Sequence, residues 1–370
     1  MQKENAHHIE NSDEYKALKV NKGIEQPPTL SAESVQRFKK KKKKKKLNVD
    51  EFVEGIRNSD RSIFSQAITM VESNRPEHQA MAQENIERCL PFSGNSIRVG
   101  ITGVPGVGKS TFIETMGLYL TGMGRKLAVL AIDPSSEKTK GSILGDKTRM
   151  EQLSNAANAY IRPSPSAGSL GGVAQKTRET IIICEAAGFD TIFIETVGVG
   201  QSETAVHSMV DFFLLLMLGG AGDELQGIKR GIMEMADAIS INKADGDNIR
   251  KAELAKVQYQ SALHLFPLGE SGWSPNVLTC SAYKNTGIDI VWDTILTYTD
   301  FVKSNNYFSK RRNEQAKYWM HQSIESALKS NFYSNQTLKD SILQTEQKVI
   351  GKEMSPFVAA RKLLDEYFSK

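Results

Sequence analysis

Cysteine is scarce in this sequence. Cys89, Cys184 and Cys280 are the only three in 370 residues, they stand far apart, and no Cys-x-x-Cys pair or dense Cys/His cluster accompanies them. That excludes a disulfide scaffold and a Cys/His zinc site, and fits a reducing compartment. Long apolar runs are missing too. The longest strongly apolar stretch, Phe212 to Leu218, falls far short of the roughly 20 residues a membrane-spanning helix needs, and suits a buried parallel strand instead. The first thirty residues lack the apolar core of a secretory signal. Glu4, Glu10, Asp13 and Glu14 among them are at odds with an acid-poor organelle transit peptide. The expectation is a cytoplasmic protein.

The chain also has little net charge of its own outside one tract. Lys39 to Lys46 is an unbroken run of eight lysines, and removing it turns a net charge of +4 into −4. Such a run can touch nucleic acid or an anionic membrane. A solvated low-complexity tract is the plainer reading, and neither nucleic acid nor membrane is expected as a partner.

What is present is a chain with 39% hydrophobic residues, enough for one large α/β domain with helical additions or for two domains. Residues 1–46 read as a polar, lysine-rich disordered leader. Over 47–93, apolar residues at helical spacing (Phe52, Ile56, Ile63, Ala67, Ile68, Val71, then Met81, Ile86, Leu90 beyond Pro76) predict two or three helices forming an N-terminal helical cap. Residues 94–300 read as an α/β domain, and 301–370 as amphipathic helices forming a C-terminal extension.

The organising stretch is Ile97 to Thr111. A strand-like run enters a glycine-rich turn, and Lys-Ser-Thr opens a helix. This is the P-loop pattern G-x-x-x-x-G-K-[ST] in its required context. Gly103, Val104, Pro105, Gly106, Val107 and Gly108 let the backbone curl round a phosphate. Lys109 brings a mobile cation to the β- and γ-phosphates, the Ser110 hydroxyl suits Mg²⁺, and Thr111 continues the helix whose N-terminus favours anions. The strand after this helix, Leu127 to Ile132, implies a right-handed parallel crossover, so it is expected inside the sheet rather than antiparallel at its edge. Further strands are expected at Tyr160-Ile161, Asp190 to Glu195, Asp211 to Leu218, Ala238 to Ile241 and Val277 to Thr279, with a loop over 162–172. The fold class is α/β with a mainly parallel sheet, a P-loop NTPase.

Asn242-Lys243-Ala244-Asp245 follows a strand and fits N-K-x-D. The Asp245 carboxylate can accept from guanine N1–H and the 2-amino group together, a donor pair that adenine lacks. Asn242 shapes the loop and the Lys243 stem can cover the base. Ser281-Ala282 follows the next strand, where a backbone N–H is expected at guanine O6. Glu195-Thr-Val-Gly198 fits the [D/E]-x-x-G pattern that sets an acid near Mg²⁺. The residue after Gly198 is Val199, where many GTPases carry a water-orienting Gln, and Gln201 lies two further on. Slow intrinsic hydrolysis, or hydrolysis completed by another group, follows. Asp133 and Asp146 are candidate Mg²⁺-side carboxylates, acting directly or through water, with a loop acid or helix cap as the alternative. Lys229 ends a glycine-rich, charged loop over 219–229 that can present a cation or simply connect strand to helix. His207 and His264 read as helix residues rather than ligands.

These residues together resemble the MeaB/ArgK family of GTPases. The resemblance is carried by Arg75 to His78, Gly100 to Glu114, Ala131 to Ser136, Gly141 to Asp146, Glu195 to Glu203 and Gly222 to Lys229. It implies the parallel-sheet (SIMIBI) class of P-loop GTPases. It also implies a GTP-hydrolysing chaperone of the adenosylcobalamin-dependent methylmalonyl-CoA mutase that gates cofactor loading and protects or reactivates the mutase. By this resemblance Lys109, Glu195 and Lys229 are catalytic, Ser110, Asp133, Asp146 and Glu195 surround Mg²⁺, residues 218–229 form a switch loop answering the mutase, and the C-terminal helices form a homodimer arm. Two rivals are weighed. A nickel-inserting GTPase of the same class would need a Cys/His-rich site that is not visible. An ATP-dependent kinase of arginine and ornithine transport is opposed by Asp245.

Overall fold

The computed structural model describes residues 47–132, 150–163, 170–196, 202–220 and 230–369. Among the described residues, three helices precede the first strand: α1 (Val49–Arg57), α2 (Arg61–Glu72) and α3 (Pro76–Cys89). Their starts are chemically marked. Asn48 and Glu51 form a capping box on α1, Asp60 accepts from Ser62 and Ile63 N–H at the head of α2, and Pro76 occupies the first turn of α3. The interruption expected at Pro76 is thus a helix start.

Seven strands follow: β1 (Ile97–Gly103), β2 (Leu127–Ile132), β3 (Ala159–Arg162), β4 (Thr191–Thr196), β5 (Phe212–Leu218), β6 (Ala238–Asn242) and β7 (Asn276–Thr279). They form one sheet in the order β3-β2-β4-β1-β5-β6-β7, and every pairing is parallel. The strand that follows the P-loop helix, β2, lies between β3 and β4, as the crossover argument requires. Among the described residues the helices between strands are α4 (Lys109–Gly122), α5 (Glu151–Asn155), α6 (Leu170–Ala186), α7 (Ser202–His207), α8 (Arg230–Met235) and α9 (Ile249–Leu263). After the sheet come α10 (Ile288–Ser304), α11 (Tyr307–Ser334), α12 (Gln336–Ile350) and α13 (Pro356–Phe368). The loop expected through Gly172 stops sooner, because Leu170 to Gly172 form the first turn of α6. Burial of Val173 and Ala174 outweighs the cost of about 1 kcal/mol per helical glycine.

β5 shows why a parallel strand reads as an unbroken apolar run. Phe212, Leu214 and Leu216 point into a core with Phe112, Met116, Leu120, Trp292 and Ile295. Leu215 and Met217 point the other way, into a core with Ile239, Ile241, Ala252 and Tyr259. Helices cover both faces, so no polar alternation is needed.

The N-terminal ends of β5 and β6 are tied to α11. Arg312 Nε and Nη2 donate to the two carboxylate oxygens of Asp211 at 2.8 and 2.7 Å. Burial alone would raise the pKa of Asp211, but Arg312, with Arg98, holds it below the usual carboxylate range. Arg311 lies 3.6 Å from Asp237 and donates to Tyr298 Oη at 3.1 Å. Gln315 donates to the Val210 carbonyl at 2.8 Å, and Trp319 Nε1 to the Ser208 carbonyl at 2.9 Å. None of these contacts was legible in motif spacing.

Candidate functional site

Strand β1 delivers its last residue, Gly103, against β5 so closely that a Cβ there would lie 2.4 Å from the Leu216 carbonyl oxygen. The turn that follows uses left-handed backbone at Gly106 (φ +76°) and Gly108 (φ +90°), conformations that glycine adopts without a steric penalty. A Cβ on Gly108 would also approach Asn242 Nδ2 to 3.2 Å. Glycine thus stands at 103, 106 and 108 where the backbone itself requires it. α4 begins at Lys109, with Ser110 and Thr111 in its first turn. Lys109 Nζ donates to the Gly103 carbonyl at 2.8 Å. Burial lowers the Lys109 pKa, against the opposing influence of Glu195 and Glu203.

Glu195 sits near the C-terminal end of β4, paired in register with Ile101 of β1 on one side and Ala131 of β2 on the other. It is only 4% exposed. One residue on, Thr196 and Thr102 hydroxyls meet at 2.8 Å, fixing the ends of β4 and β1 to one another. Glu203, on α7, is 2% exposed. Nothing in the sequence marks its role. Its charge, like that of Glu195, acts on Lys109.

The second half of the site is the base loop. Asn242 closes β6. Its Nδ2 donates to the Val107 carbonyl at 2.8 Å, and its Oδ1 accepts from the Ala282 N–H at 3.1 Å. Lys243 has left-handed backbone, φ +60°, and its Nζ donates to the Gly106 carbonyl at 2.8 Å. Asp245 accepts a short hydrogen bond from the Ser281 hydroxyl. Ala244 N–H donates to Cys280 O at 3.0 Å, and Thr115 Oγ1 of α4 donates to Ala282 O at 2.9 Å. The structure thus brings Gly103 to Thr111 together with Asn242, Lys243, Asp245, Ser281 and Ala282 at the C-terminal edge of the sheet, where open α/β folds bind ligands. The Ala282 N–H is taken by Asn242 Oδ1. Thr115 was missed because nothing in the P-loop pattern marks it.

Other expected site residues, Asp133, Asp146, Lys229, Gly198, Val199 and Gln201, lie outside the described residues, as does most of the 219–229 loop. Of that loop, Gly219 is held where a Cβ would lie 2.7 Å from the Ala252 amide nitrogen. Among the described residues no group of three or more His, Cys, Asp or Glu is placed to hold a metal. The oxygen donors present are the Ser110 hydroxyl and the Glu195 carboxylate, a donor chemistry that suits Mg²⁺. His207 ends α7 and its Nε2 lies 3.2 Å from Arg311 Nη2. Burial and Arg311 push its pKa down to about 4. Among the described residues no helix is long and apolar enough to cross a membrane.

Comparison with known proteins identifies the family. Residues 64–337 match the family described as Methylmalonyl Co-A mutase-associated GTPase MeaB. The Escherichia coli protein named GTPase ArgK is 44% identical over 313 residues, 85% of this chain and 95% of its own length. The Mus musculus protein named Methylmalonic aciduria type A homolog, mitochondrial, is 43% identical over 332 residues, 87% of this chain and 80% of its own. A crystal structure titled LAO/AO transport system kinase superposes with a TM-score of 0.69 at 38% identity, covering 87% of this chain and 98% of that one.

Proposed function

The chain belongs to the MeaB family of GTPases, and from that premise we propose that it is the GTP-driven chaperone of an adenosylcobalamin-dependent methylmalonyl-CoA mutase. GTP is its substrate. In this reading Lys109 and the Gly103–Gly108 backbone hold the triphosphate. Asp245 vets guanine, with Asn242, Lys243, Ser281 and Ala282 shaping the base loop. Ser110 and Glu195, with Asp133 and Asp146, would hold Mg²⁺, which would neutralise phosphate charge there. Lys229 and the 218–229 loop would complete hydrolysis on contact with the mutase, consistent with Val199 standing where a water-orienting Gln is common.

The observation that carries the nucleotide part is Asn242, one side chain bonded to both the phosphate loop and the 281–282 loop. In this reading Asn242 would hold the triphosphate grip and the base-reading carboxylate at a fixed spacing. The mutase part leans on family membership and on the name of the mouse relative. The same reading makes the protein a cytoplasmic homodimer. A groove of about 840 Å³ lies between α11, α12 and α13, and Phe357, Ile350 and Phe368 stand 86, 73 and 73% exposed on these helices, an apolar surface suited to a second copy.

The test is a pull-down and turnover pair. With a non-hydrolysable GTP analogue, purified mutase is expected to co-purify. With GTP, the mutase is expected to raise turnover, and Lys229→Ala to remove that increase while nucleotide still binds. A mutase that neither binds nor stimulates would overturn the chaperone reading and leave the GTPase assignment standing.

A further inference from the structure

Thr115 lies on α4, six positions beyond Lys109 on the same helix. Its hydroxyl donates to the Ala282 carbonyl at 2.9 Å in a partly buried setting. The Ala282 N–H is also engaged, donating to Asn242 Oδ1 at 3.1 Å. Ser281 N–H donates to Thr286 O at 2.9 Å. Lys284 N–H donates to Ser281 Oγ at 3.1 Å, and that hydroxyl in turn donates to Asp245. From 281 to 284, one backbone N–H makes no hydrogen bond to any described residue, that of Tyr283. In a trans peptide the carbonyl and the following N–H point in opposite directions. Drawing the Ala282 carbonyl towards α4 therefore turns the Tyr283 N–H away from that helix.

We propose that Thr115 is a positioning residue for base selection, holding the 282–283 peptide so that the Tyr283 N–H meets the O6 acceptor of guanine. This rests on the guanine reading above. It names the Tyr283 N–H as the donor that the 281–282 loop is expected to bring to O6, the Ala282 N–H being already used. The same arrangement works against adenine, which offers an amino donor where guanine offers O6, so two donors would face one another. Thr115 thus joins phosphate grip and base choice through one helix: its N-terminus serves the phosphates, and its second turn braces the loop at the base.

The test uses the full chain in calorimetry with Mg²⁺ and three nucleotides: GDP, 6-thio-GDP, whose sulfur is a poor acceptor at the O6 position, and ADP. Wild type is expected to prefer GDP over 6-thio-GDP by about 10-fold, the worth of one good hydrogen bond. Thr115→Val is expected to weaken GDP by about 5- to 10-fold and 6-thio-GDP by less than about twofold. Thr115→Ser, which keeps the hydroxyl, is expected to behave like wild type. Equal losses for GDP and 6-thio-GDP would make the hydroxyl a structural brace only and overturn the proposal, as would unchanged GDP binding in Thr115→Val. If that variant does not fold, the wild-type ratio decides, since equal affinity for GDP and 6-thio-GDP removes the O6 contact. Equal affinity of wild type for GDP and ADP is a different failure. It would sink the guanine reading itself.

Discussion

The side-chain amide of Asn242 donates to the carbonyl oxygen of Val107 at 2.8 Å across 135 positions of sequence. The phosphate loop is therefore held from β6 as well as by its own glycines. Asn242→Ala would leave the Val107 carbonyl and the Ala282 N–H without partners, at about 1 to 3 kcal/mol for each buried group. Loss of GDP affinity by at least about 30-fold, corresponding to about 2 kcal/mol, is the expected calorimetric result.

Gly103 and Gly122 make a matched pair. Alanine at Gly103 would press against the backbone of β5, where a Cβ meets the Leu216 carbonyl at 2.4 Å. Neither strand can yield, so a loss of about 2 to 4 kcal/mol is expected. At Gly122, the last residue of α4, a Cβ meets nothing within 4 Å. Gly122→Ala should gain about 0.5 to 1 kcal/mol by narrowing the unfolded ensemble. Urea unfolding of the two variants measures the contrast, and equal effects would contradict the close approach at Gly103.

Asp245 is held by the Ser281 hydroxyl. Asp245→Asn exchanges one acceptor oxygen for a donor and should cut the ratio of GDP to ADP affinity about 100-fold. Side-by-side titration reads it, and an unchanged ratio removes Asp245 from base selection.

His207 gives stability a pH dependence. Arg311 can only donate, so His207 Nε2 at 3.2 Å accepts and the ring is neutral. Its folded pKa of about 4 lies below the ordinary value of 6.5, so the unfolded chain binds the extra proton first. Stability from this group is full above pH 6.5 and is lost as pH falls towards 4. The whole loss is at most about 3 kcal/mol. Asp237, facing Arg311 from β6, has its pKa raised by burial despite Arg311. Its protonation adds the opposite slope, in stability lost as pH rises through its folded value. Chemical unfolding at pH 7 and pH 5, with and without His207→Gln, separates the two. The variant should lose less stability between these pH values than wild type.

Much of the architecture was legible because the signals were local. The P-loop glycines predict a turn found at positive φ, and apolar runs such as Phe212 to Leu218 predict buried strands. The crossover argument places β2 inside the sheet, where it lies. The base loop was legible as a tetrapeptide, but its mechanics were not. That Asn242 reaches Val107, and Thr115 reaches Ala282, depends on which strands become neighbours, and sheet order is not written in any single window of residues. Likewise nothing in the sequence marks Arg311 or Arg312 apart from the other charges of the C-terminal helices. Their partners, Asp211 and Asp237, become visible only once α11 has packed under β5 and β6.

That packing bears on how the protein can be shortened. A truncation ending at Asn306 would spare every motif of the nucleotide site. It would also strip Asp211 of its bidentate cation and Asp237 of Arg311, and bare the carbonyls of Ser208 and Val210. The first residues of the tail belong to the foundation under the central strands. A minimal catalytic fragment has to retain them at least through Trp319.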